Sequence, residues 1–197
     1  MEEASQLANR YWTENDTGRY FHVLADDDHP NEITANDIAA VSMLSVEVPA
    51  AVTIWLLTDD GRSEISERLA RVPTDVDIWD APELLERGGD LWSIWERLNE
   101  ACWPAPKPGN KMGPTTISKL MATKRPRLVP VWDTVVAQVM RRNHEDAHWA
   151  EFANALADDK LRLLLSIASV HGTPEDTTFL RRLDAMLWMI GKHHPDW

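Results

Sequence analysis

Proline and glycine break this chain at intervals of about one helix length, and between the breaks apolar residues recur every three or four positions rather than in alternation. That pattern leads to helices packed around a core. Thr34 reads as an N-cap for a helix over 35–45, with Ile38, Val41, Met43 and Leu44 on a largely apolar face. Pro49 opens a second helix to about Leu57, which Asp59-Asp60-Gly61 should stop. A third is predicted over 63–71, carrying Ile65 and Leu69 and closed by Pro73. Asp80-Ala81-Pro82-Glu83 reads as another start, Gly88-Gly89 interrupts it, and a tryptophan-rich run follows from Asp90. Beyond a stiff proline-rich connector at 104–109, helices are predicted at 115–123, 133–142, 148–157, 160–170 and 177–190, with Gly191 as the last stop. Only 20–24 and 128–131 could be extended, and neither has an alternating partner.

The reading is all-α: a single compact helical domain over 1–197, a length that closes one hydrophobic core. A hydrophobic fraction of 44% with 26% charged residues separates the chain from disordered sequences. Its ten tryptophans are spread along the whole length, which suits core filling better than a stacking platform. The single cysteine, Cys102, excludes an internal disulfide and a cysteine-held zinc or iron-sulfur centre within one chain, and it reads as buried and inert. The first ten residues lack a secretory pattern, and the most apolar stretch, 39–57, is broken by Glu47 and Pro49. The expectation is a cytoplasmic protein with no membrane association.

Charge is distributed unevenly. The formal net charge is −12, yet between Lys107 and Arg142 eight basic residues face one acid, Asp133, a local +7 that leaves −19 for the remainder. Such asymmetry marks a partner-facing patch, or complementary surfaces within one protein or between copies. Within this stretch Gly113 feeds a helix at Pro114, whose first amides lack helical partners and could hold a phosphate. The sequence after the glycine departs from a nucleotide-binding Walker loop. Lys124-Arg125-Pro126-Arg127 then forms a basic turn, an apolar run follows, and Asp133 opens a helix at Thr134-Val135-Val136.

This order of turn glycine, short helix, apolar segment ending in valine, aspartate and Thr-x-Val resembles the helix-hairpin-helix DNA glycosylase superfamily, over about 109–142. The separation of 20 residues from Gly113 to Asp133 agrees with it. The resemblance implies a helix-hairpin-helix core and DNA as partner. It also implies that Asp133 is the catalytic carboxylate, stabilising an oxocarbenium-like sugar or activating water after a base leaves the stack. Lys111, Gly113, Thr115, Thr116, Lys119, Lys124, Arg125 and Arg127 would contact nucleic acid. Lys111 replaces the hairpin's usual first glycine. Thr115 stands where lyase-type members carry a Schiff-base lysine, so the implied activity is monofunctional base excision, without a cofactor. The stretches 33–45, 118–133 and 180–188 also resemble an actinobacterial family of unknown function, a likeness that spans most of the chain and supplies no activity.

Other readings stay open. Asp133 before Thr-Val-Val is a good N-cap, and the scaffold could be a non-catalytic module that binds DNA or a protein, or an oligomer joined through its basic stretch. His144 and His148 share a helical spacing but lack a third ligand, so no metal is expected. Arg181 and Asp184, three apart, are expected to form a modest ion pair.

Overall fold

The computed structural model describes residues 2–14, 16–101, 111–143 and 148–194, and among them every regular element is helical. The chain runs α1 (Glu2–Thr13), α2 (Phe21–Leu24), α3 (Ala35–Ser42), α4 (Ala50–Leu57), α5 (Asp59–Leu69), α6 (Asp90–Glu100), α7 (Pro114–Lys124), α8 (Thr134–Val139), α9 (Trp149–Leu156), α10 (Asp159–Ser169) and α11 (Phe179–His193). Tight 3-10 turns at Thr17–Tyr20 and Pro82–Leu85 precede α2 and α6. Among the described residues no helix is long and apolar enough to cross a membrane.

Two groups of helices meet. The first closes the ends of the chain on one another: α1 packs on α10 and α11, and α8 packs on α11. In the second, α2 lies on α3, α3 on α7, α4 on α5, α5 on α6, and α6 on α7. One apolar cluster runs through both groups, with Trp132 and Trp149 fully enclosed and Trp12, Trp55, Trp92 and Trp95 buried around them. Trp92 also donates its Nε1 proton to Leu85 O at 2.9 Å, which satisfies the polar end of its ring.

Several boundaries differ from those expected. Thr34 caps α3 in a capping box with Asp37, and α3 ends at Ser42, short of Ser45. Asp59-Asp60-Gly61 begins α5 instead of merely ending α4. There a Cβ on Gly61 would stand 2.2 Å from Trp55 O, so the glycine permits close approach rather than a stop. The start at 80–83 yields one 3-10 turn, ended before Gly88 at φ +86. Residues 20–24 are helical, and 128–131 form an irregular segment without strand pairing. Gly191 lies inside α11, where a Cβ would press within 2.6 Å of Val135 Cγ1. Its missing side chain lets α11 and α8 touch. The connector at 104–109 and Cys102, expected to be buried, lie outside the described residues.

Candidate functional site

The basic segment divides into an exposed beginning and a buried middle. Lys111 and Gly113 are exposed, and Thr115 and Thr116 are half-buried in the first turn of α7, with Gly113 at its N-cap. From Lys119 to Arg125 the side chains turn inward. Lys124 is buried against Asp37, Nζ to Oδ2 2.7 Å, and donates to the carbonyls of Asp26 and His29. Asp37 in turn accepts from the backbone amides of Asp26 and Thr34. Arg125, 1% exposed, donates to the carbonyls of Val72, Leu69, Pro30 and Lys124 and to Asn31 Oδ1. With no carboxylate beside it, burial pushes its pKa down to about 10, which still leaves the guanidinium charged at neutral pH. Arg127, half-exposed, is held by both oxygens of Asp77 at 2.9 and 2.6 Å, and that pairing raises its pKa.

These contacts tie the loop before α3 to the ends of α5 and α7. A buried ammonium or guanidinium must find acceptors within the protein, and here backbone carbonyls supply most of them. Lys124 and Arg125 are therefore clamps between elements in this arrangement, and no face of theirs points outward. Lys107 lies outside the described residues.

Lys119 and Asp133 belong to a different place. Asp133 caps α8: its Oδ1 accepts from the amides of Val135 and Val136, both at 3.0 Å. Its Oδ2 lies 3.4 Å from Lys119 Nζ, and that ammonium also donates to Leu44 O at 2.9 Å. The two side chains form part of a cleft of about 280 Å³ whose walls include Tyr11, Ser45, Asp184, Trp188 and Lys192. It lies where the end of α1, the turn after α3, α7, the cap of α8 and α11 converge. Neither Lys111, Gly113, Thr115 nor Thr116 lines it.

Behind the cleft is a buried polar network. Arg181 reaches Asp184, the Tyr11 hydroxyl and Gly18 O. The pair expected to be modest is thus enclosed, 5% exposed on each residue. Burial pushes the Asp184 carboxyl up to about 7, outweighing the attraction of Arg181, and nearby Asp133 adds to the rise. Burial also raises Tyr11 to about 12, so its hydroxyl stays neutral. Ser45, on the rim, holds φ +60, a conformation that costs a residue with a side chain about 1 kcal/mol or more. Lys192 Nζ lies 4.3 Å from the centroid of the Trp188 ring.

Of the residues expected from sequence to contact nucleic acid or act in catalysis, the cleft brings together Asp133 and Lys119. Tyr11 and Lys192 carried no signal in any local motif, Ser45 and Trp188 stood only within stretches that resemble a family of unknown function, and Asp184 showed in addition a helical spacing to Arg181. His148 packs against the Trp132 ring and contacts Glu151, His144 lies outside the described residues, and no cluster of three metal-ligating side chains occurs among those described.

The chain belongs to a family of unknown function, DUF6308, which matches residues 4–191. No curated protein and no solved structure matches it. The family's description names no activity, so the chemistry of the cleft stands on its own residues.

Proposed function

We propose that this protein is a glycosylase-like enzyme that works at the Asp133 cleft, taking one base-sized group of a nucleic acid and hydrolysing its bond to the sugar. One observation carries the reading: Asp133 gives only Oδ1 to its helix cap, while Oδ2 turns to Lys119 on the wall of a cleft that also holds Tyr11 and Trp188. The C1′–N bond breaks with its electron pair leaving on the base. Asp133 stabilises the positive charge that develops on the sugar, water adds at C1′, and its proton passes to the departing base. The start of α7, with Lys111, Gly113, Thr115 and Thr116, would receive a flanking phosphate. It stands about 8 Å along the helix from Lys119, a separation on the scale of one nucleotide.

The test is base release from single-stranded and duplex oligonucleotides carrying uracil, hypoxanthine or an alkylated base, and from the free nucleosides. Wild type should release base, and Asp133→Asn, which keeps an acceptor for the α8 amides, should lose at least a hundredfold in rate while its helical circular dichroism shows that it still folds. Release by neither protein from any of these compounds contradicts the enzyme reading. A second reading is favoured by the inward turn of Lys119, Lys124 and Arg125: a non-catalytic module in which Asp133 only caps α8. That reading predicts binding of a DNA or protein partner without turnover, equal for wild type and Asp133→Asn.

A further inference from the structure

Apart from the Asp133 cleft, a cavity of about 340 Å³ opens between α2, the end of α7, the segment 126–131 and the start of α11, on residues that the cleft does not use. Its size is ordinary for a small-molecule site. The floor is apolar, with Phe21, Ala122, Val129 and Val131 all buried. Three carboxylate or guanidinium groups belong to the wall: Asp27 and Asp176 are exposed and so mark the mouth, whereas Arg181 is buried. Asp26 and Asp28 strengthen the negative potential at Asp27, and Lys124, the cation that acts on Asp27, is spent on Asp37 and does not line the cavity. His22 completes the set of titratable wall residues; burial and the neighbouring Arg181 hold its pKa below the ordinary value, so the ring is neutral at pH 7. Two buried nitrogens in this wall lack partners. Arg181 gives Nη1 to Asp184 and Nη2 to Tyr11 and Gly18 O, but its Nε finds no acceptor among the described residues, and Nδ1 of His22 has no partner there either.

We propose that this cavity binds a small arylalkylammonium compound, its ring on the apolar floor, its ammonium between Asp27 and Asp176 at the mouth, and a neutral acceptor such as a phenolic hydroxyl toward Arg181. Charge sets the direction. Negative charge at the mouth and a guanidinium at the inner end favour a ligand that carries its cation outward and an acceptor inward. A carboxylate at the inner end would have to pass the two acids of the mouth and would be buried beside Arg181, which already holds Asp184. A neutral hydroxyl avoids that cost and still meets the unpaired Nε. Phe21 supplies an aromatic surface for the ligand's ring, and the valines and Ala122 cover the rest of it.

The probe is tyramine, a phenol joined to a primary ammonium by a short chain, titrated into isotopically labelled protein. With roughly ten non-hydrogen atoms it should bind with a Kd of about 0.1–5 mM, and saturable shifts should centre on Ala122, Val129 and Val131. Phenethylamine, which lacks the hydroxyl, should bind at least about threefold more weakly. The corresponding anion, para-hydroxyphenylacetate, should bind at least about tenfold more weakly. Asp27→Asn combined with Asp176→Asn, both at exposed positions, should lower the affinity for tyramine at least about fivefold with unchanged helical circular dichroism. The proposal is overturned by the lack of saturable shifts up to about 20 mM tyramine, by shifts centred on Ser45 and Trp188 instead, by equal affinity for the anion, or by an unchanged affinity in the double variant. Equal binding of phenethylamine overturns the inward acceptor at Arg181.

Discussion

Asp133 divides its carboxylate between a helix and a cleft, and the residues around it decide how far that division reaches. Lys119 draws Oδ2 away from the helix amides, and Leu44 O fixes the position of Lys119 itself. Asp184 adds a group whose charge changes near neutrality. Its folded-state pKa of about 7 exceeds the usual carboxyl value, so the folded protein retains that proton after the unfolded chain has released it. The resulting stabilisation is complete below about pH 4 and is lost as pH rises through about 7. Asp184→Asn, which cannot ionise, should lack this loss. In urea unfolding between pH 4 and pH 8, wild-type stability should fall relative to the variant as pH rises; parallel curves would contradict the assignment.

At the level of elements, the basic turn after α7 is where an expectation from sequence and the folded position of the same residues separate most clearly. Lys124 and Arg125 look from their neighbours like part of a phosphate-binding run. Their partners, Asp37, Pro30, Leu69 and Val72, come from segments about fifty to a hundred positions away, and no window around the turn contains them. Asp133 as an N-cap was legible, because the aspartate, the helix it opens and the amides it accepts are adjacent in sequence. So were the starts of α3, α7 and α10, set by residues within one turn of each. Gly61 and Gly191 were misread as stops because close approach to Trp55 and Val135 is a property of packing rather than of local backbone preference. Arg125→Ala should leave several carbonyls without a buried donor and cost about 3–5 kcal/mol, read as a lower urea midpoint. A loss under about 1 kcal/mol would show that the clamp adds little.

Across the whole molecule, Lys119, Lys124, Arg125 and Arg181 are buried together with Asp37, Asp133 and Asp184, so the surface keeps the acidic balance of the composition, and an acidic surface repels a long polyanion. Under the proposed function, a cleft of about 280 Å³ at Asp133 would take a single base from a short or locally opened substrate rather than grip a continuous duplex. The helical class could be read from the punctuation of the chain, since every stretch of regular apolar spacing became helix. The cleft could not, because its walls come from α1, the turn after α3, α7, α8 and α11, and only packing brings them together. Nuclear magnetic resonance titration of the isotopically labelled protein with uridine and inosine measures this placement directly. Saturable shifts should centre on Tyr11, Ser45, Lys119 and Trp188 and vanish when Trp188→Ala opens the wall. Shifts confined to Lys111 and Arg127, or none at millimolar nucleoside, would contradict a site at Asp133.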